Sequence, residues 1–149
     1  MRKLVVLIVL GLVLASCGGE TDSAESGSSD LPDPCALVDD ATLTAYFGEV
    51  FEGEAGETGP LLTCRWRDEN ANSLLLQVAS DHGLNRPDSC DRCIDLSFAD
   101  DGYASPSPFQ STAAFIAGST FYSVTTTGFG DDADSIAGLA ETIYENIDP

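Results

Sequence analysis

One of the five cysteines in this sequence lies in a pattern that directs a covalent modification. Cys17 follows Leu14, Ala15 and Ser16, so that an aliphatic residue and two small ones precede the thiol. This order is a lipobox, where the thiol takes a diacylglyceryl group and a peptidase then cleaves before the cysteine. We therefore expect Cys17 to be the lipidated first residue of the mature protein. The alternatives are an ordinary secretory signal with a chance cysteine, or an N-terminal anchor that is not cleaved.

The other four cysteines are expected to form disulfides, because their number is even and the chain carries an export signal. They are Cys35, Cys64, Cys90 and Cys93, and three pairings are possible in principle. Cys90 and Cys93 lie close together in a polar stretch, which leaves Cys35 and Cys64 for each other. A bond between Cys35 and Cys64 would join the first helix to the first clear strand and would stabilise the fold by about 3–4 kcal/mol in the chain-entropy model.

The Cys90-x-x-Cys93 spacing has two further interpretations, a redox centre and half of a metal site. A redox centre needs a helix N-terminus that lowers the pKa of one thiol. Here Asp88, Asp91 and Asp95 surround the pair, and negative charge raises a thiol pKa. A zinc site needs a second pair of ligands, and the sequence holds a single histidine. We favour a structural disulfide, and we expect no metal and no cofactor.

Few other residues have the types that catalysts need. His82 could serve in a Ser-His-Asp triad, but the sequence has no Gly-x-Ser-x-Gly elbow, and a surface histidine is usually just polar. Paired carboxylates occur at 39–40, 100–101 and 131–134. Helix caps and turns account for each pair, and none has the spacing of a calcium loop. The sequence favours a protein that is not an enzyme; the alternative is a carboxylate-based hydrolase or a Cys-x-x-Cys redox protein.

Three segments organise the chain. Residues 1–16 begin with Arg2 and Lys3 and continue with an apolar run over 4–14, which is too short to span a bilayer comfortably and is typical of a signal peptide. Residues 17–30 contain the lipidated cysteine and a small, polar, acidic tether that cannot bury enough apolar surface to fold. Residues 31–149 are long enough to form one domain with its own core.

Charge narrows the choice of partners. The whole chain has a formal charge of −19. The mature chain has four arginines, no lysine and all 25 acidic residues, and therefore reaches −21. Such a surface repels nucleic acid, anionic lipid and anionic wall polymers. We expect the protein to be a monomer that meets the membrane through the lipid on Cys17 and that binds a small-molecule ligand or an envelope protein.

Helix signals occur at both ends of the domain. Asp33-Pro34 marks a helix start and Gly48 a helix end, which predicts either one helix over 34–47 or a short helix followed by a longer one. Near the C-terminus, apolar residues from Ile136 to Ile147 recur at helical spacing after a cap at 131–132. These two helices are expected to lie on one face of a sheet.

Strand signals fill the region between the helices. Alternating or β-branched runs predict strands at 61–68, 73–80, 112–117 and 120–127. A short strand or edge at 50–51 and a short strand at 94–98 are further candidates. We expect an α+β fold in which an antiparallel sheet of about four to five strands packs against the N-terminal and C-terminal helices. The large aromatic side chains are expected in the core rather than in a ligand pocket, namely those of Phe47, Trp66, Phe115 and Phe121.

Three stretches of the domain resemble a known group of proteins. They are residues 33–38 (DPCALV), 46–48 (YFG) and 64–66 (CRW). With the lipobox and the polar tether, they resemble actinobacterial, including mycobacterial, envelope lipoproteins that carry a domain of unknown function. The resemblance implies a Cys35–Cys64 disulfide, the α+β fold and a place on the extracytoplasmic face of the cell membrane. It implies no activity, so the sequence predicts a non-enzymatic module of the envelope that binds a ligand or a partner.

Overall fold

The computed structural model describes residues 31–80, 83–87 and 90–147. The signal peptide, Cys17 and the tether lie outside these residues, as do His82 and Asp88. The elements follow one another in this order: a 3₁₀ helix (Pro34–Leu37), α1 (Asp40–Phe47), β1 (Glu54–Thr58), β2 (Leu61–Arg67), β3 (Ser73–Ser80), β4 (Ile94–Asp95), β5 (Asp101–Ser105), β6 (Gln110–Ala117), β7 (Thr120–Thr127) and α2 (Ala133–Ile147).

All seven strands join one sheet in the order β1-β2-β3-β7-β6-β5-β4. Every neighbouring pair is antiparallel. Together with the two α-helices, this confirms the α+β class and the antiparallel sheet that the sequence predicts. The predicted number of four to five strands is wrong, because two strands form in segments that the sequence pattern assigns to loops.

The two missed strands, β1 and β5, have sequences with low strand propensity, EAGET and DGYAS. Both form because a neighbouring strand supplies the backbone partners, β2 for one and β6 for the other. In β5, a Cβ atom on Gly102 would lie 2.8 Å from Cβ of Phe115, so close packing explains the glycine. The strand predicted at 50–51 does not form; the ring of Phe51 packs on Phe47 instead, with centroids 5.3 Å apart.

The helix termini follow the capping residues. The N-terminal region is the second of the two predicted forms, a short 3₁₀ helix and then α1. The side chain of Asp33 accepts from the amide of Cys35, and that of Asp39 accepts from the amide of Thr42, so each satisfies a free donor of a first turn. α1 ends at Gly48, which has a left-handed φ of 81°, the conformation that glycine adopts at least cost.

The core lies between one face of the sheet, here called the core face, and the helices. Trp66 and Phe115 are buried there, as the sequence predicts. They pack with apolar residues of the strands and helices, including Leu74, Leu76, Val78, Val124, Leu37, Leu43, Ile136, Leu139 and Ile143. None of the described helices is long and apolar enough to cross a membrane.

The opposite face of the sheet, here called the outer face, carries a second and smaller apolar cluster. Ala79, Tyr103, Ala114 and Phe121 form it, so Phe121 is buried, but away from the main core. Leu84 and Cys93 pack on this cluster, which shows that the segment between β3 and β4 covers this half of the outer face. The other half of the outer face lies open to solvent, and it holds the candidate site.

Candidate functional site

A shallow cleft of about 210 Å³ lies on the open half of the outer face. We call it the arginine cleft, and its lining residues come from β2, β3, β6 and β7: Arg65, Arg67, Ser73, Leu75, Gln110, Thr125 and Thr127. Strand alternation places them on one face, because residues two apart on a strand point to the same side. Their neighbours Cys64, Trp66, Leu74 and Val124 point the other way, into the core.

Strand register brings the lining residues together in two rows. Arg67 is opposite Ser73, Ser73 opposite Thr127, and Thr127 opposite Gln110. In the adjacent row, Arg65 is followed across the sheet by Leu75 and then by Thr125. The two arginines therefore stand side by side at one end of a floor of hydroxyl, amide and leucine side chains.

Arg65 and Arg67 form no ion pair with any residue that the structure describes, and both are exposed. The other two arginines of the domain are paired. Nη1 of Arg86 lies 2.7 Å from Oδ1 of Asp95, and Nη1 of Arg92 lies 2.6 Å from Oδ2 of Asp131. Among the described residues, two guanidinium groups are thus without an ion pair, although the chain has many more acidic than basic residues.

Arg86 and Arg92 have structural roles that explain their pairing. Arg86 also donates to the carbonyl of Gly102 at 2.9 Å, and its guanidinium lies 5.5 Å from the centre of the Tyr103 ring. Arg92 donates a second bond, to the carbonyl of Asp131 at 2.7 Å. This hydrogen-bonded guanidinium lowers the pKa of Asp131 below the usual 3.8. Through these ion pairs and hydrogen bonds, both arginines connect the segment before β5 to the rest of the domain.

No carboxylate lines the arginine cleft. The closest acidic position in the strand register is Glu54, which is paired with Arg65 across β1 and β2. Its side chain forms no ion pair with Arg65 in the described structure. The cleft is therefore a local positive surface on an acidic domain, and such a surface attracts an anionic group.

An exposed aromatic side chain stands next to the cleft. Phe109 is 82% exposed and directly precedes Gln110 of the cleft wall. The loop that carries it is held by Ser111, whose Oγ accepts from the amide of Ser107 at 3.2 Å and lies 3.2 Å from the carbonyl oxygen of Gly130. The loop thus presents one exposed aromatic ring directly before the cleft wall in the chain.

Both predicted cysteine pairs form disulfides, Cys35–Cys64 and Cys90–Cys93. Cys90 and Cys93 close a turn in which the amide of Cys93 donates to the carbonyl of Cys90 at 3.3 Å. This turn is not the start of a helix, so the helix dipole that activates a redox thiol is missing there. Sγ of Cys90 lies 3.4 Å from Oγ of Ser105 on β5, which places the disulfide over the outer face as part of its cover.

The three predicted carboxylate pairs lie apart and serve local structure. Asp39 caps α1, and its hydrogen bonds with Thr42 lower its pKa below the usual 3.8. Asp100 accepts from the amide of Gly118 at 2.8 Å, which joins the residue before β5 to the turn between β6 and β7. Asp132 accepts from the amide of Asp134 at the start of α2. Within the described residues, no three histidine, cysteine or acidic side chains are placed to hold a metal ion.

Other clefts on the described surface are also open to solvent. One of about 440 Å³ lies between the β6–β7 turn and the end of α2, and one of about 370 Å³ lies beside the 3₁₀ helix and β1. A third, about 280 Å³, includes Asp95, Asp134 and Glu141. These clefts do not bring a free cationic side chain next to hydrogen-bonding groups, whereas the arginine cleft does.

The sequence pattern did not single out the arginine cleft. Alternation along 61–68 does place Arg65 and Arg67 on the side of the strand away from Cys64 and Trp66. The partners from β3, β6 and β7 follow only from strand order and register, which the sequence pattern does not contain. Comparison of the chain with protein-family models, with curated proteins and with solved structures finds no match.

Proposed function

We propose that this protein is a lipid-anchored, extracytoplasmic binding module of the cell envelope, of the actinobacterial lipoprotein type, and that it acts without catalysing a reaction. The arginine cleft is its binding surface. The single observation that carries the binding role is that two arginines on the open sheet face form no ion pair with any described residue, in a strongly acidic chain. Arg86 and Arg92, by contrast, pair with carboxylates of the described residues.

The anchor part of the proposal rests on the N-terminal sequence. A short positive segment, an apolar run and the residues before Cys17 together have the order of a lipoprotein signal. The polar residues 18–30 would act as a flexible tether with a root-mean-square length of roughly 20 Å. The domain would thus stand clear of the lipid head groups, and its acidic surface gives it little tendency to lie on an anionic membrane.

The choice of binding over catalysis rests on the residue types of the described surface. The arginine cleft offers guanidinium, hydroxyl and amide groups, but no carboxylate, histidine or free thiol that could act as base or nucleophile. The acidic pairs elsewhere are engaged as caps and turns.

The anchor is tested by expressing the chain in an actinobacterial host with Cys17→Ser. We expect the variant to lose incorporation of a fatty-acid analogue and to leave the membrane fraction. The matched control is Cys90→Ala/Cys93→Ala, which removes thiols elsewhere and should leave lipidation unchanged. Protease treatment of cells without a wall should degrade the anchored domain from outside. Unchanged labelling and fractionation of Cys17→Ser would refute the anchor.

The binding surface is tested with amide chemical shifts of the purified protein, against an unbiased library of small carboxylates, phosphates, sugars and amines. We expect shifts to cluster on Arg65, Arg67, Thr125 and Thr127. Shifts confined to the cleft beside Pro34, or no shifts with any compound, would contradict the assignment of the arginine cleft as the binding surface.

A further inference from the structure

We infer that the arginine cleft binds a sugar that carries one anionic group, a carboxylate or a phosphate. This inference rests on the proposed binding function and names the chemical class of its ligand. It follows from the combination on one sheet face of a cationic end and a polar floor, with an exposed aromatic residue directly before Gln110 in the chain.

The cationic end fits a single anionic group. Arg65 and Arg67 are two residues apart on β2, so their Cα atoms are about 7 Å apart on the same face. A guanidinium binds a carboxylate or phosphate with two parallel hydrogen bonds. Neither arginine has to leave a carboxylate partner of the described structure before it binds, so the site is preorganised for an anion.

The floor fits a ligand with hydroxyl groups. Ser73, Thr125, Thr127 and Gln110 offer donors and acceptors along the cleft. From Arg67 to Gln110 the row crosses three strand spacings, about 14 Å in all. This length accommodates one or two sugar rings beyond the anionic group.

An exposed aromatic residue, Phe109, is next in the chain to the far end of the row but is not one of the residues that line the cleft. Phe109 adjoins Gln110 in the chain, and 82% of its surface is exposed on a loop fixed by Ser111. A sugar ring has a face of C–H groups, and in the proposed complex the part of the sugar that extends past Gln110 packs this face on Phe109. An anion without a ring would gain nothing from Phe109.

The charge of the whole domain selects for a small ligand. A long polyanion would meet the acidic surface around the cleft, including Glu54 next to Arg65, and would be repelled by it. A ligand with one negative charge meets mainly the two arginines. The preferred ligand is therefore an anionic mono- or disaccharide rather than a charged polymer.

The test is calorimetric titration of the lipid-anchored protein in an uncharged detergent without sugar groups. The probes are glucuronic acid, glucose 6-phosphate, glucose, inorganic phosphate and polygalacturonate. We expect both anionic sugars to bind at least about tenfold more tightly than glucose and than phosphate, since each charged hydrogen bond is worth about one decade in affinity. The relative affinity for glucuronic acid and glucose 6-phosphate identifies the anionic group.

Matched variants separate the effect of the cleft arginines on binding from the effect of the net charge of the protein. Arg65→Gln and Arg67→Gln should each weaken anionic sugars about tenfold and leave glucose unaffected. Arg92→Gln removes the same charge at a distance and should have no such effect. Phe109→Ala should weaken the sugars but not phosphate, whereas Val50→Ala, at another exposed apolar residue, should change neither.

Three outcomes would overturn the inference. The first is equal affinity for glucose and glucuronic acid, and the second is an equal loss of affinity for anionic sugars in Arg92→Gln and Arg65→Gln. The third is a dimer in sedimentation that dissociates on Arg65→Gln, because a second copy would then occupy the cleft. Failure of the ligand class remains distinct from failure of the binding function. If other compounds shift the amide signals of the cleft but no anionic sugar binds, the proposed binding function is supported and the proposed ligand class is wrong.

Discussion

The hydroxyl of Tyr46 donates a hydrogen bond to the backbone carbonyl of Ser135, 2.9 Å away, and so joins α1 to the first turn of α2 across 89 residues of sequence. The same ring contacts Phe129 edge to face, with centroids 5.4 Å apart, and Phe129 also contacts Phe47 at 5.1 Å. The two helices are thus tied to each other and to the turn before α2. These contacts hold the two helices together as a single layer, which packs on the core face of the sheet.

Removal of this hydroxyl should destabilise the domain modestly. We expect Tyr46→Phe to lower the free energy of unfolding by about 1 kcal/mol, the usual net value of one hydrogen bond. Urea denaturation measures it. Tyr144→Phe is the control, because the Tyr144 ring packs on Phe98 and Phe115 while its hydroxyl has no hydrogen-bond partner among the described residues. An equal loss in both variants would show that the bond to Ser135 contributes nothing specific.

Alkaline pH should unfold the domain through its buried tyrosines. Burial raises the pKa of Tyr46, Tyr103 and Tyr122 above the usual 10.0. Each contributes stability that is complete below pH 10 and is lost as the pH rises through its raised folded pKa. We expect the urea midpoint to fall above pH 10, with phenolate absorbance appearing together with unfolding. Tyr46→Phe should make that fall shallower, and complete titration of a folded protein near pH 10 would contradict the prediction.

The two disulfides should differ in their effect on stability. Cys35–Cys64 closes a loop with a sequence separation of 29, whereas Cys90–Cys93 spans 3. In the chain-entropy model, Cys35→Ala/Cys64→Ala costs about 3–4 kcal/mol and Cys90→Ala/Cys93→Ala about 2 kcal/mol or less. Calorimetric melting of the two double variants measures the difference. If the second variant melts at the lower temperature, the covering segment on the outer face matters more than loop closure.

Gly53 lies where a side chain would collide with the core disulfide. A Cβ atom there would overlap Sγ of Cys64 and would come 2.9 Å from the indole of Trp66. We expect Gly53→Ala to cost about 1–3 kcal/mol, as overpacking of a core does. Gly138→Ala is the matched control, because a Cβ in that turn of α2 meets nothing within 4 Å and alanine is the better helix former by about 1 kcal/mol. Denaturation curves should therefore move in opposite directions.

Local signals in the sequence were sufficient for the helices, most strands and the cysteine pairs. Asp39 and Gly48 bound α1 because capping depends on a few adjacent residues. The strand pairs β2–β3 and β6–β7 were predictable, since each strand alternates and each pair is joined by a short turn. β1 and β5 were missed because their residues have little preference for strands, and each becomes a strand only by pairing with the next strand in the chain, β2 or β6.

The sequence by itself determined the class of the fold, an acidic composition that disfavours polyanionic partners, and the even set of four cysteines that pair. It also contains the lipobox at Cys17, which stays a prediction. Only the tertiary structure decided which arginines pair with a carboxylate of the described residues and which do not. Arg65, Arg67, Arg86 and Arg92 look alike in the sequence, but whether a guanidinium meets a carboxylate depends on strand order and register. Those are set by packing of the whole sheet against its helices, and no short stretch of sequence encodes them.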